Sequence, residues 1–289
     1  MLHTLTNDIL TIQVESKGAE LQSIYNQLHG LEYIWSAQPV WPKKSPVLFP
    51  IVGGLKNNTY NYKKKSYSLS RHGFAREHDF HLEGQTENSL TFSLSSSNET
   101  KAVYPFDFFF KVIYTLKNAN LSVEFFVENR AEDEMYFSVG AHPAFAVPLV
   151  EGLQYDDYFL EFNIPETTPR WPLTGDGLIK ETPDDFLEAS TTLPLQKSLF
   201  EKDAIVFKDL KSTAISLRSA QSPHGLTVSF EGFPYMGIWA AKGADFVCIE
   251  PWCGIADSEN TSDKLEEKEG IIKLNGDKTW SRSYSIEVF

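Results

Sequence analysis

The chain has 289 residues, of which 42% are hydrophobic and 22% charged, enough apolar material for a sizeable core and too much for a mainly disordered chain. Asp and Glu number 39 against 26 Lys and Arg, and the formal charge of −13 repels phosphate backbones, so nucleic acid is set aside as a partner. No apolar run has the length of a membrane span, and the first residues carry Asp8 and lack the basic start of a secretory leader, so the expectation is a cytoplasmic protein without a membrane partner. From the N-terminus onward the pattern is that of strands. Leu10, Ile12 and Val14 alternate with polar residues, as do Leu90, Phe92 and Leu94. Phe110, Val112, Tyr114 and Leu116 share one face, the polar turn Lys117-Asn118-Ala119-Asn120 follows, and Leu121, Val123, Phe125 and Val127 alternate again, which predicts a hairpin. The stretch from Pro165 to Pro194 holds five prolines and reads as an insertion or a long connection over a sheet face. Leu226, Val228 and Phe230 repeat the alternation, and Ile238-Trp239 and Phe246-Val247 flank a turn at Lys242-Gly243-Ala244. Thr261 to Lys268 reads as a short capped helix, and Tyr284, Ile286 and Val288 as a last strand.

No alternation of strand and helix suggests a doubly wound fold, and the aromatic share of 13% suits pleated surfaces. The predicted fold is all-β: one domain over residues 1–289, built as a large sandwich or barrel of mostly antiparallel strands.

Three stretches place an ionisable side chain in apolar surroundings. They are Arg71-His72-Gly73-Phe74-Ala75-Arg76, Val139-Gly140-Ala141-His142-Pro143-Ala144-Phe145 and Phe246-Val247-Cys248-Ile249-Glu250-Pro251-Trp252. A glutamate that ends the run Phe-Val-Cys-Ile is costly to bury, and burial raises its pKa toward the range useful for proton transfer near neutrality. Each also has a plain structural explanation: a hydrogen-bonded core histidine at 142, a turn at His72-Gly73, a salt-bridged Glu250, surface charges at Arg71 and Arg76. The two cysteines, Cys248 and Cys253, form neither a zinc nor a redox spacing and read as free thiols. A metal held by His72, His142 and Glu250 matches no zinc motif, and no metal is expected. The fingerprints of nucleotide binding, P-loops, nucleophile elbows and zinc proteases are absent.

Taken in order, Pro46-Val47-Leu48-Phe49-Pro50, Arg71 to Arg76, Gly140 to Phe145 and Cys248-Ile249-Glu250-Pro251-Trp252-Cys253-Gly254 resemble the aldose 1-epimerase (galactose mutarotase-like) superfamily, and within it the LacX-type branch. The likeness runs from Leu10 to Phe289. It implies a β-supersandwich with a sugar site in an open cleft and an isomerase that needs no cofactor, its partner being a small-molecule aldohexose. By resemblance, Glu250 is the base for the C1 hydroxyl, His142 the acid for the ring oxygen, and His72 holds the opening ring. Arg71, Asp203, Arg76 and Trp252 are the expected substrate-binding residues. The chemistry asks for an ionised Glu250 and a charged His142 on opposite sides of one acetal carbon. Mutarotases carry an Asn-Arg pair shortly before the first histidine, and Val52-Gly53-Gly54-Leu55-Lys56 lacks it. Two alternatives follow. The first is a hexose-6-phosphate 1-epimerase with Lys43, Lys44, Arg71 and Arg76 as a basic pocket. The second is a non-catalytic carbohydrate-binding protein of the same fold.

Overall fold

The structure, a computed structural model, describes residues 1–289, and its regular elements are mostly antiparallel strands. The predicted hairpin is present as Phe108–Lys117 paired with Asn120–Asn129. Its side chains alternate between core and surface along the second strand, as the sequence pattern requires. These two strands lie within a nine-stranded sheet. In spatial order it runs Asp184–Pro194, Tyr158–Arg170, Ala214–Ser219, Ser222–Ser229, Thr279–Val288, Asn120–Asn129, Phe108–Lys117, Ser89–Ser95 and His81–Gln85.

A second sheet has the order Ile205–Lys208, Tyr235–Trp239, Phe246–Cys253, Val139–Ala141 and Val47–Leu48, with Ala144–Ala146 also paired to Phe246–Cys253. Aromatic contacts bridge the two sheets. Phe49 stacks on Phe110 at 4.4 Å, and Phe162 meets Phe207 edge-on at 6.1 Å. A smaller four-stranded sheet spans Leu2 to Glu32. The large all-β sandwich of mostly antiparallel strands expected from the sequence is therefore the observed architecture.

Two local expectations change. The proline-rich stretch is no plain connection: Tyr158–Arg170 and Asp184–Pro194 form an irregular strand pair at the edge of the large sheet, broken by bulges where the prolines interrupt the ladder. The helix expected over Thr261 to Lys268 shrinks to one 3-10 turn, Leu265–Glu267. Lys268 is instead drawn inward to a buried ion pair with Asp257 at 2.7 Å.

The strand Phe246–Cys253 positions the site. Every one of its residues is buried. Alternation sends Val247, Ile249 and Cys253 to one face and Cys248, Glu250 and Trp252 to the other. Glu250 and Trp252 of the latter face, together with Val206 and Ala256, line a hollow beside the second sheet.

Candidate functional site

Glu250 and His142 are brought together by strand register. Gly140 pairs with Trp252, and Ala144 pairs with Cys248. His142 and Pro143 interrupt the ladder between these pairs, which leaves the histidine directly opposite Glu250 on the same face. Its Nε2 lies 3.3 Å from Oε2 of Glu250, with side-chain exposures of 11% and 2%. The contact is not aligned as a hydrogen bond, and Oε2 of Glu250 and Nδ1 of His142 have no partner. Trp41 stacks on the imidazole at 5.2 Å and Trp239 meets it edge-on at 5.5 Å, so the ring is held from two sides.

His72 stands at the wall with its ring 5.6 Å from that of His142. The turn that presents it uses two left-handed residues, His72 at φ 68 and Gly73 at φ 70. The N–H of Gly53 donates to His72 Nδ1 at 3.1 Å, and the His72 N–H donates to the Gly53 carbonyl at 2.8 Å. With Nδ1 accepting, the ring proton sits on Nε2. The Gly53 segment is fastened from below. Asp257 accepts from the backbone N–H of Lys56, donates its own N–H to the Gly54 carbonyl, and is neutralised by buried Lys268.

Arg71, Arg76, Asp203 and Trp252 line the same hollow, whose volume is about 520 Å³. Arg71 Nη2 lies 3.8 Å from Asp203 Oδ2, and its guanidinium fills the space where Gly177 lacks a side chain. Asp203 sits at φ 78 and accepts from the N–H of Ala204 at 2.8 Å. Arg76 donates from Nη2 to the carbonyl of Arg71 at 2.9 Å, while its buried Nε makes no hydrogen bond and lies 3.7 Å from Glu77 Oε1. Trp252 lies over Gly140 and Gly237, either of which would strike the indole if it carried a Cβ.

The expected basic pocket of Lys43, Lys44, Arg71 and Arg76 divides. Lys43 is engaged by Glu77 at 3.0 Å and Lys44 by the carbonyl of Gln22 at 2.9 Å, and neither lines the hollow. Lys242, at the hairpin turn, reaches the rim instead. Sequence reasoning also missed Trp41, Trp239, Leu173 and Ile179. The two tryptophans sat among many aromatics, whereas Leu173 and Ile179 arrive from the proline-rich segment. The one available signal was that segment's irregularity.

Burial decides the resting charges. It pushes the Glu250 carboxyl well above its ordinary value, reinforced by Asp203 and opposed by the Trp252 indole and Arg71. It pushes His142 down to about 3, with Arg76 and Arg71 adding to the depression. His72 falls well below 6.5, first from desolvation and then from His142 and the two arginines. Burial therefore does not favour the ionised Glu250 and charged His142 expected from sequence. Nor do the two groups face each other across a gap: they stand side by side.

A profile of the family Aldose 1-epimerase matches residues 1–269. The chromosomal protein LacX of Lactococcus lactis subsp. lactis is 39% identical over 98% of both chains. Among solved structures, a galactose mutarotase related enzyme from Lactobacillus acidophilus superposes with a TM-score of 0.94 at 35% identity, covering 100% of this chain and 97% of the other. A galactose mutarotase-like protein from Lactobacillus casei superposes at 0.92 and 28% identity over the full length of both. A match of that extent, on a chain that sets His142 against Glu250 in a hollow, places this protein in the aldose 1-epimerase family.

Proposed function

We propose that this protein interconverts the α and β anomers of an aldohexose by opening and reclosing the ring. The observation that carries the reading is the 3.3 Å contact between His142 Nε2 and Glu250 Oε2 in a hollow sized for a small molecule. The pair holds one transferable proton, since a neutral acid beside a neutral imidazole has the same proton count as a carboxylate beside an imidazolium. Passing the proton from Glu250 to His142 as sugar enters needs no exchange with solvent. Glu250 then takes the proton of the C1 hydroxyl while His142 gives one to the ring oxygen, and the bond between C1 and that oxygen breaks. Both oxygens are bonded to one carbon, which suits an acid and a base standing side by side. The open aldehyde turns about C1–C2, and reclosure runs the transfers in reverse. His72, neutral and with Nε2–H free, donates to a sugar oxygen. Arg71 and Asp203 take hydroxyls, and no cofactor is required by these steps.

A phosphorylated aldose is the second reading. It is favoured by three cations, Arg71, Arg76 and Lys242, that line the one hollow.

Polarimetry of freshly dissolved α-glucose and α-galactose tests the first reading. The protein is expected to hasten equilibration, and Glu250→Gln to lose ~10²-fold or more of that acceleration. A Glu250→Gln protein that binds sugar by calorimetry, from a wild type that binds equally and never accelerates, would identify a binder instead. Glucose 6-phosphate decides the second reading: preference for it over glucose, lost in Arg76→Ala, supports a phosphate contact, and an unchanged ratio opposes it.

A further inference from the structure

Cys248 is the polar side chain of the site face that the proposed chemistry leaves unused. It precedes Glu250 by two residues on the same strand, so both project to the same side. Its neighbours across the ladder are Ala144 and Trp239. A sulfur, a carboxylate oxygen and a ring nitrogen from Cys248, Glu250 and His142 all lie within 4.8 Å of one another, and all three residues are buried.

Two further observations point to a ligand. Glu250 Oε2 has no hydrogen-bond partner although its side chain is 2% exposed, and the residue lines the hollow. The 3.3 Å separation of that oxygen from His142 Nε2, poorly aligned for a hydrogen bond, equals the edge of a tetrahedral zinc site. Bonds of roughly 2.0–2.1 Å at the tetrahedral angle set nitrogen and oxygen about 3.3–3.4 Å apart. With a zinc–sulfur bond of about 2.3 Å, the sulfur belongs about 3.5–3.6 Å from each, so a 4.8 Å separation closes by little more than ~1 Å of side-chain movement.

We propose that His142, Cys248 and Glu250 form a three-ligand site for a thiophilic divalent cation such as Zn²⁺, with the fourth position open to the hollow. Occupancy removes both members of the acid–base pair and so switches the enzyme off. The first half stands on geometry alone, and the second rests on the function proposed above. On binding, the thiol proton and the carboxyl proton leave to water. The imidazole binds through the Nε2 lone pair and keeps its proton on Nδ1. Thiolate and carboxylate together neutralise the dication, and no oxidation state changes. The donor set selects zinc, cobalt or copper over magnesium and calcium, which prefer oxygen ligands.

Cobalt(II) added to the purified protein is the direct probe. A thiolate-to-cobalt charge-transfer band in the near ultraviolet, displaced by Zn²⁺ and absent from Cys248→Ala and Cys248→Ser, is the expected result. No band, or the same band in both variants, overturns the site. In anomer-exchange assays Zn²⁺ is expected to inhibit the wild type while Mg²⁺ does not. Cys248→Ala is expected to keep its basal rate and to need at least ~10-fold more Zn²⁺ for half inhibition. Equal Zn²⁺ sensitivity of wild type and variant contradicts the switch, as does cobalt bound through Cys248 with exchange unaffected. If the wild type catalyses no exchange, the cobalt band still decides the metal site, so the two readings fail separately.

Discussion

Glu250 is the residue at which this fold spends most, because a carboxyl at 1% exposure with one oxygen unpaired loses hydration without full compensation. The consequence is a testable pH dependence. In the unfolded chain the carboxyl titrates near 4.5, and in the fold well above that. Above 4.5 the unfolded state has released a proton the folded state still holds, so this group lowers stability as pH rises toward its folded value. His142 acts in the opposite sense. It stays neutral in the fold down to about 3, whereas the free imidazole titrates near 6.5, so stability falls as pH drops through that interval. The two effects offset between 4.5 and 6.5, and only that of Glu250 continues above. Replacing it by Gln removes that loss. The melting temperature of Glu250→Gln, relative to wild type, is expected to climb as pH rises above about 4.5. A constant difference across that range contradicts the raised carboxyl. At this scale the sequence was informative where a charge interrupted an apolar run, as at Glu250 and His142. It was silent where the residue type is common: nothing in Trp41 or Trp239 distinguishes a ring that clamps the His142 imidazole from one that fills a core.

Elements carry the next level of the argument. The strand Phe246–Cys253 is buried along its whole length, which conceals that Glu250 and Trp252 face the hollow while their neighbours in sequence face the other way. Only the pairs on either side reveal the assignment. Gly237 and Gly140 are small because Trp252 lies across them. Gly237→Ala drives a methyl group into the indole and is expected to cost about 1–3 kcal/mol in urea unfolding, with anomer exchange falling alongside. A loss below ~0.5 kcal/mol means that Trp252 has room to move, contrary to the packing described here. Hairpins with strict alternation, such as Phe108–Lys117 with Asn120–Asn129, were legible from sequence because each face meets one environment. The pair Tyr158–Arg170 and Asp184–Pro194 was not, since bulges shift its register three times and prolines mask the period. The six-residue helix Asn98–Val103, capped by Ser97, is too short for any periodicity to announce it.

At the scale of the molecule, chain order and spatial order diverge. The C-terminal strand Thr279–Val288 is not an edge but lies inside the nine-stranded sheet, between Ser222–Ser229 and Asn120–Asn129. It buries Tyr284, Ile286 and Val288 and leaves two open ladders if removed. Deleting residues 279–289, all of which lie beyond the family match at 1–269, is expected to abolish cooperative unfolding and drive the protein into aggregates on size exclusion. A soluble truncated chain with a native melting curve contradicts that placement. The same long-range order brings together the site: His72, His142 and Glu250 are separated by 70 and 108 residues in sequence and meet only when both sheets are assembled. The most direct measurement is therefore a double-mutant cycle on anomer exchange, read by NMR magnetisation transfer between the α and β signals of glucose or galactose. If Glu250 and His142 pass a single proton between them, Glu250→Gln and His142→Asn each lose ~10²–10⁴-fold, and the double variant is no slower than the worse single one. Independent, multiplying losses, or single variants that exchange anomers as fast as wild type, would contradict a shared-proton pair.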